Sequence, residues 1–242
     1  MEHSISYIQG FIPYALAALL IGLVGGFSTV LGPAFVQDIG IAYNNTIWTA
    51  LAQAMSTAAC APILEKVGDF VGRRKILLLG IVVLTFGNVL SAMVNSLLMM
   101  LAARLIVGIG TAAMSPVILA YIATEFPKDQ VAKGFSLYML LSSASVILGP
   151  SNGGLIVSVY GWRTMLWVCV AICTGIFAAC AIVSRNQESK INPLTNFDAS
   201  GAVLILVFFS PFCASPLSGR VLAGLLCHSC LFWRLHQSVL LV

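Results

Sequence analysis

Apolar residues run in long blocks along this chain, and the polar residues are gathered between them. A helix that crosses a bilayer needs about 20 mostly apolar residues. Six nearly uncharged runs fit that requirement: Phe11–Phe35, Ile47–Leu64, Ile76–Val94, Leu98–Thr124, Phe135–Tyr160 and Thr164–Ser184. Turn-forming residues separate them, among them Asn44-Asn45, Asn95-Ser96 and Tyr160-Gly161-Trp162-Arg163. The pattern predicts an all-α membrane protein whose residues 1–184 form a six-transmembrane-helix bundle. A polar linker follows over 185–198, and Asp198-Ala199-Ser200-Gly201 reads as the cap of a seventh helix. That helix opens with "GAVLILVFF" and then meets Ser210-Pro211, so 199–242 is expected to be a partial seventh helix and an irregular tail. The chain then reads either as a truncated half or as one ending in a poorly selected tail.

Composition narrows the picture. The 242 residues are 60% hydrophobic and 8% charged, with mean hydropathy +1.01. Soluble domains carry about 25% charged residues, so this chain cannot cover a water-facing exterior, and its first partner is the lipid bilayer. A net charge of +4 matters mainly through its placement and gives no reason to expect a nucleic-acid partner. Lys66, Arg73, Arg74, Lys75, Lys128, Lys133, Arg185 and Lys190 fall in loops on one side, and Arg163 falls on the other. The positive-inside rule makes the first side cytoplasmic, together with the N-terminus, in an integral, multi-pass protein; the plasma membrane is the expected location. Trp48, Tyr121, Tyr160, Trp162 and Trp167 lie near the predicted helix ends, where interfacial aromatics belong. The first ten residues lack the basic start of a cleavable signal.

Chemistry-bearing patterns are few. Cys60, Cys169, Cys173 and Cys180 sit inside apolar runs, where a thiol behaves as a small hydrophobe. Cys227-His228-Ser229-Cys230 has the gap of a zinc half-site without a second pair, so no metal and no cofactor is expected. The sequence shows no nucleophile–base pair, and the Gly68-x-x-x-Gly72-Arg73-Arg74 stretch lacks the spacing of a phosphate-binding loop. An enzyme is not expected.

Four features remain. The stretch "EKVGDFVGRRK", residues 65–75, holds six of the twenty charged residues. Gly68-Asp69 and Gly72 are expected to bracket a tight turn, with Asp69 near enough to favour the dipole of the third helix. It is either a solvated turn or a structured loop whose salt bridges form and break. Arg104 is the one charge inside a predicted span, roughly 10 Å from the helix end at about 1.5 Å per residue. Either it snorkels to the surface, or it faces a cavity where it binds an anionic group or biases a nearby acid. Gly149-Pro150 and Gly153-Gly154 are either small-residue packing or a hinge. Gly32-Pro33 and Ser115-Pro116 occupy corresponding places if helices 1–3 and 4–6 are inverted repeats.

"GDFVGRRK" resembles the signature between helices 2 and 3 of the major facilitator superfamily, Gly-x-Leu-x-Asp-Arg-x-Gly-Arg-Arg. Asp69, Gly72, Arg73 and Arg74 match, while Glu65, Val67 and Phe70 depart from it. "RLIVGIGTAA" is similar to the family's Arg-x-x-Gln-Gly-x-Gly, with Arg104, Gly108 and Gly110 present and Val107 in place of Gln. "SVILGPSNGG" resembles its antiporter motif Gly-x-x-x-Gly-Pro-x-x-Gly-Gly through Gly149, Pro150, Gly153 and Gly154, with Ser145 replacing the first Gly. "PAFVQDIG", "GWRTMLW" and "FDASGAVL" add weaker likeness, the last to the fourteen-helix drug/proton antiporter branch. The resemblance runs from about residue 25 to 209.

It implies a major-facilitator-type fold of 3+3 inverted repeats and efflux of a drug or other small molecule in exchange for protons. Arg104 would serve transport or coupling. Asp69, Gly72, Arg73, Arg74 and Lys75 would form a gating loop, and Gly149, Pro150, Gly153 and Gly154 an antiporter hinge. A second half, a copy of the chain in a homo-oligomer, or a separate chain would complete the transporter. The rival reading is a membrane scaffold without transport. Helices 1–6 contain no central Asp or Glu, so a coupling acid belongs to another half or coupling does not use protons.

Overall fold

The computed structural model describes residues 2–39 and 47–183. The linker, the seventh helix, the tail and the Cys227–Cys230 pair lie outside the described residues. Six helices account for nearly all of the described chain: α1 (Glu2–Ile39), α2 (Ile47–Val71), α3 (Arg73–Ala92), α4 (Leu97–Glu125), α5 (Val131–Tyr160) and α6 (Trp162–Val183). Each is long and apolar enough to cross a membrane. Helix satisfies every interior backbone group within the segment, which lipid demands and irregular chain cannot supply. Prolines inside α1, α2, α4 and α5 each remove one backbone donor without ending their helix.

The packing has the order expected of inverted repeats. α1 lies along α5 as α4 lies along α2, and α3 and α6 cover the pair and touch each other. The two junctions inside the repeats match as well. Each is a single glycine with positive φ, Gly72 at 102° between α2 and α3 and Gly161 at 83° between α5 and α6. Side chains other than glycine rarely adopt that conformation.

The charge cluster differs from its expectation. Gly68 and Asp69 do not form a turn: α2 continues past Leu64 through both of them to Val71, and α3 starts at Arg73. Gly72 alone turns the chain. Gly68 serves packing instead, since a Cβ there would lie 3.2 Å from Val117 of α4. The polar letters concealed the helix because its last two turns leave the apolar layer while the backbone pattern continues.

Candidate functional site: a buried arginine and two helix seams

At the basic end of the bundle, Gly72 aims Arg73 across α4. Nη2 meets Asp69 Oδ1 at 3.2 Å, one helical turn earlier. Nη1 donates to the Ala120 carbonyl at 3.1 Å and to the Thr124 hydroxyl. Arg73 thus ties the start of α3 to the C-terminal turns of α4, where a cation also suits the helix dipole. Arg74 is half-buried and Lys75 exposed. Beneath this corner Tyr14 stacks on Tyr121 with centroids 4.0 Å apart, and Phe11 meets Phe126 edge-on at 5.3 Å. These rings join the near ends of α1 and α4.

The opposite end carries a clasp that the sequence reading did not assemble. Arg163, just after Gly161, reaches Asp38 at 2.7 Å, Asn95 Oδ1 at 3.3 Å and the Val94 carbonyl at 3.4 Å. Trp162 donates its indole N–H to Asp38 at 3.0 Å, and its ring lies 4.3 Å beneath the Arg163 guanidinium. Those two hydrogen bonds, Trp162 first, hold the Asp38 carboxyl below the usual aspartate range. The available signal was charge sign: Asp38 and Arg163 are the two charged residues expected on that side.

Arg104 does not snorkel. Its side chain is buried, 2% exposed, and it is the one charged residue in the buried core of the described residues. Its Nη1 donates to Ser28 Oγ of α1 at 3.0 Å and to Gln53 Oε1 of α2 at 3.3 Å. Ser28 and Gln53 are themselves 3.1 Å apart. The Ser28 proton has two acceptors in reach, Gln53 and the Val24 carbonyl at 2.8 Å. The Nε of Arg104 has no hydrogen-bond partner among the described residues.

Gly108, one turn after Arg104, explains how α2 comes so near. A Cβ at Gly108 would stand 2.5 Å from the Gln53 carbonyl oxygen and 2.7 Å from Ser56 Cβ. The same close approach lets Thr57 meet Thr111 at 2.9 Å and Ser56 donate to the Leu105 carbonyl at 2.7 Å. Nothing in the linear sequence pointed to Ser28 or Gln53, because polar residues this short are common in packed membrane helices.

The glycine–proline motif lies in the matching α1–α5 seam. A Cβ at Gly149 would fall 2.6 Å from Gly26 Cα, and one at Gly26 would fall 2.9 Å from Pro150 Cδ. Gly153 backs onto Phe27 and Met165, and Ser145 fills the space over Gly22. Gly154 stands apart, with nothing within 4 Å of a Cβ placed there. The structure therefore does not bring the candidate residues into one site. Arg104 and the seam are linked through α1, which carries Gly26 and Ser28 two residues apart.

Comparison with known proteins adds three findings. A family model described as Major Facilitator Superfamily matches residues 14–240, well past the end of the resemblance at residue 209. "Multidrug resistance protein Stp" of Mycobacterium tuberculosis (strain CDC 1551 / Oshkosh) is 25% identical over 72% of this chain and 32% of its own length. "Multidrug resistance protein 3" of Bacillus subtilis (strain 168) is 24% identical over 82% of this chain and 39% of its own length. The chain thus spans about a third of the length of such relatives. Among solved structures, a tetrameric PepTSo2 matches with TM-score 0.70 at 17% identity, over 96% of this chain and 55% of that one. At that identity the likeness concerns the fold.

Proposed function

Since this chain belongs to the major facilitator superfamily, we propose that it takes part in exporting a drug or other small molecule in exchange for protons. In this reading it resides in the plasma membrane with its N-terminus and the Arg73 corner in the cytoplasm. The six helices act as one half-bundle beside a second, whether that is further polypeptide, another copy or a separate chain. Substrate binds near the midplane between the halves, and access alternates by rocking.

The observation that carries this reading is Arg104. An arginine inside a membrane helix costs up to about 2.5–3.5 kcal/mol on insertion scales, the value at the helix centre. Here three helices converge to hold one, through Ser28, Gln53 and the close approach at Gly108. A scaffold has no use for such an expense. Arg104 is then the transport or coupling residue. Asp69, Gly72, Arg73, Arg74 and Lys75 are the gating corner. Gly149, Pro150 and Gly153 form the seam along which α1 and α5 move as a unit, and Gly154 faces away from it.

Proteoliposomes containing the purified chain test the reading, with the fluorescent zwitterion norfloxacin, which carries both a carboxylate and an amine, as the transported probe and an imposed pH gradient. The expected result is saturable, gradient-driven flux that Arg104→Ala lowers at least about tenfold at equal reconstitution, the effect of one charged contact in a transport step. Flux with no saturation, or an Arg104→Ala protein as active as its parent, contradicts it.

A further inference from the structure

We propose that Arg104, Ser28 and Gln53 form a subsite for an anionic group, a carboxylate in its simplest form, on the small molecule that the protein carries. This rests on the transporter reading and gives its site a substrate class.

The charge balance is the first observation. The oxygens that Arg104 meets among the described residues are neutral, a hydroxyl and an amide. A buried guanidinium is normally matched by a carboxylate, and none of the described aspartates or glutamates pairs with this one.

Geometry supplies the second. Both hydrogen bonds leave from Nη1, while Nε, on the other flank of the guanidinium, is buried without a partner. Carboxylates grip guanidinium groups through two parallel N–H donors, and an edge that includes Nε offers such a pair. A buried donor left empty is unfavourable in a low-dielectric interior, so an incoming anion gains both a charge and a missing hydrogen bond.

Access comes third. Ser28 and Gln53 are half-buried and Thr29 beside them is exposed. α1 and α2 touch only slightly, and the Ser28–Gln53 hydrogen bond bridges them. A ligand that separates these two side chains reaches the guanidinium directly. Gln53 suits that position because its amide accepts from Arg104 through oxygen and can donate to a carboxylate through nitrogen.

Benzoate, benzamide and benzamidine share one shape and carry an anionic, a neutral and a cationic group. Their binding to the full purified chain in detergent can be followed by tryptophan fluorescence at constant ionic strength. Benzoate should bind about tenfold more tightly than the other two, the worth of one charge-assisted pair. Arg104→Gln should erase the preference. Gln53→Glu places a carboxylate against the guanidinium, so that variant should melt no lower than its parent and also lose the preference.

Equal binding of the three probes, or benzoate preference retained in a folded Gln53→Glu protein, overturns the proposal. So does chloride competing as strongly as benzoate, which would make the subsite one for inorganic anions. The measurement needs no flux. Failure of norfloxacin transport with benzoate preference intact therefore sinks the exporter reading and leaves the anion subsite, and absence of benzoate preference in the parent with transport intact sinks the subsite alone.

Discussion

At the scale of single residues, backbone proximity decides what each glycine does. Gly149 and Gly154 belong to one motif and have opposite surroundings. A methyl at Gly149 meets the Cα of Gly26 at 2.6 Å, which only a shift of whole helices can relieve. Gly149→Ala should therefore destabilise the protein by about 1–3 kcal/mol, the usual cost of overpacking. Gly154→Ala meets open space and should gain up to about 1 kcal/mol from helix propensity, or change nothing. Thermal unfolding in detergent separates the two variants, and equal melting temperatures would refute the seam. The motif was visible in the sequence; its division was not, because adjacent glycines look alike until a neighbouring helix is set beside them. Arg104 was equally visible, whereas its partners Ser28 and Gln53 lie 76 and 51 residues away in the chain.

At the scale of elements, the two arginine contacts occupy matching places in the two repeats. Arg73 follows Gly72 and reaches the end of α4, while Arg163 follows Gly161 and reaches the end of α1. The far-end clasp is exposed, so each pair in it contributes modestly and is weakened by salt. Its pH dependence has a definite sign. The folded-state pKa of Asp38 is depressed, first by the Trp162 indole and then by Arg163. The clasp's contribution is therefore complete above the unfolded aspartate value of about 3.9. It is lost as pH falls below that value through the folded pKa.

Asp38→Asn should lose less stability than the parent as pH falls through that acidic window. Matching pH profiles for the two proteins would show that the clasp does not form. Element order and centres were legible because apolar length is a strong signal. The ends of α2 and α5 were not: charged residues such as Lys66, Asp69 and Lys133 continue a helix that the lipid no longer dictates.

At the scale of the whole molecule, hydrogen-bond satisfaction in lipid requires helices and the apolar runs give their number. The inverted arrangement follows from which helices pair. α1 against α5 and α4 against α2 use the same device, glycines that let backbones touch. This symmetry could be suspected from Gly32-Pro33 and Ser115-Pro116, yet only the packing reveals it. It puts Gly72 and Lys75 at one end of the bundle and Asn95 and Arg163 at the other. Leu140, Ile147 and Leu155 of α5 stand outside the bundle, on a face that lipid or, in the proposed transporter, the second half would cover.

The account stands or falls on six crossings with the Arg73 corner inside the cell. Single cysteines introduced as Lys75→Cys and Asn95→Cys, in a background whose native cysteines are replaced by alanine, can be labelled with a membrane-impermeant maleimide. In intact cells the reagent should modify position 95 and spare position 75, and in inside-out vesicles the pattern should reverse. Labelling of position 75 from outside intact cells, or of both positions from the same side, would contradict it.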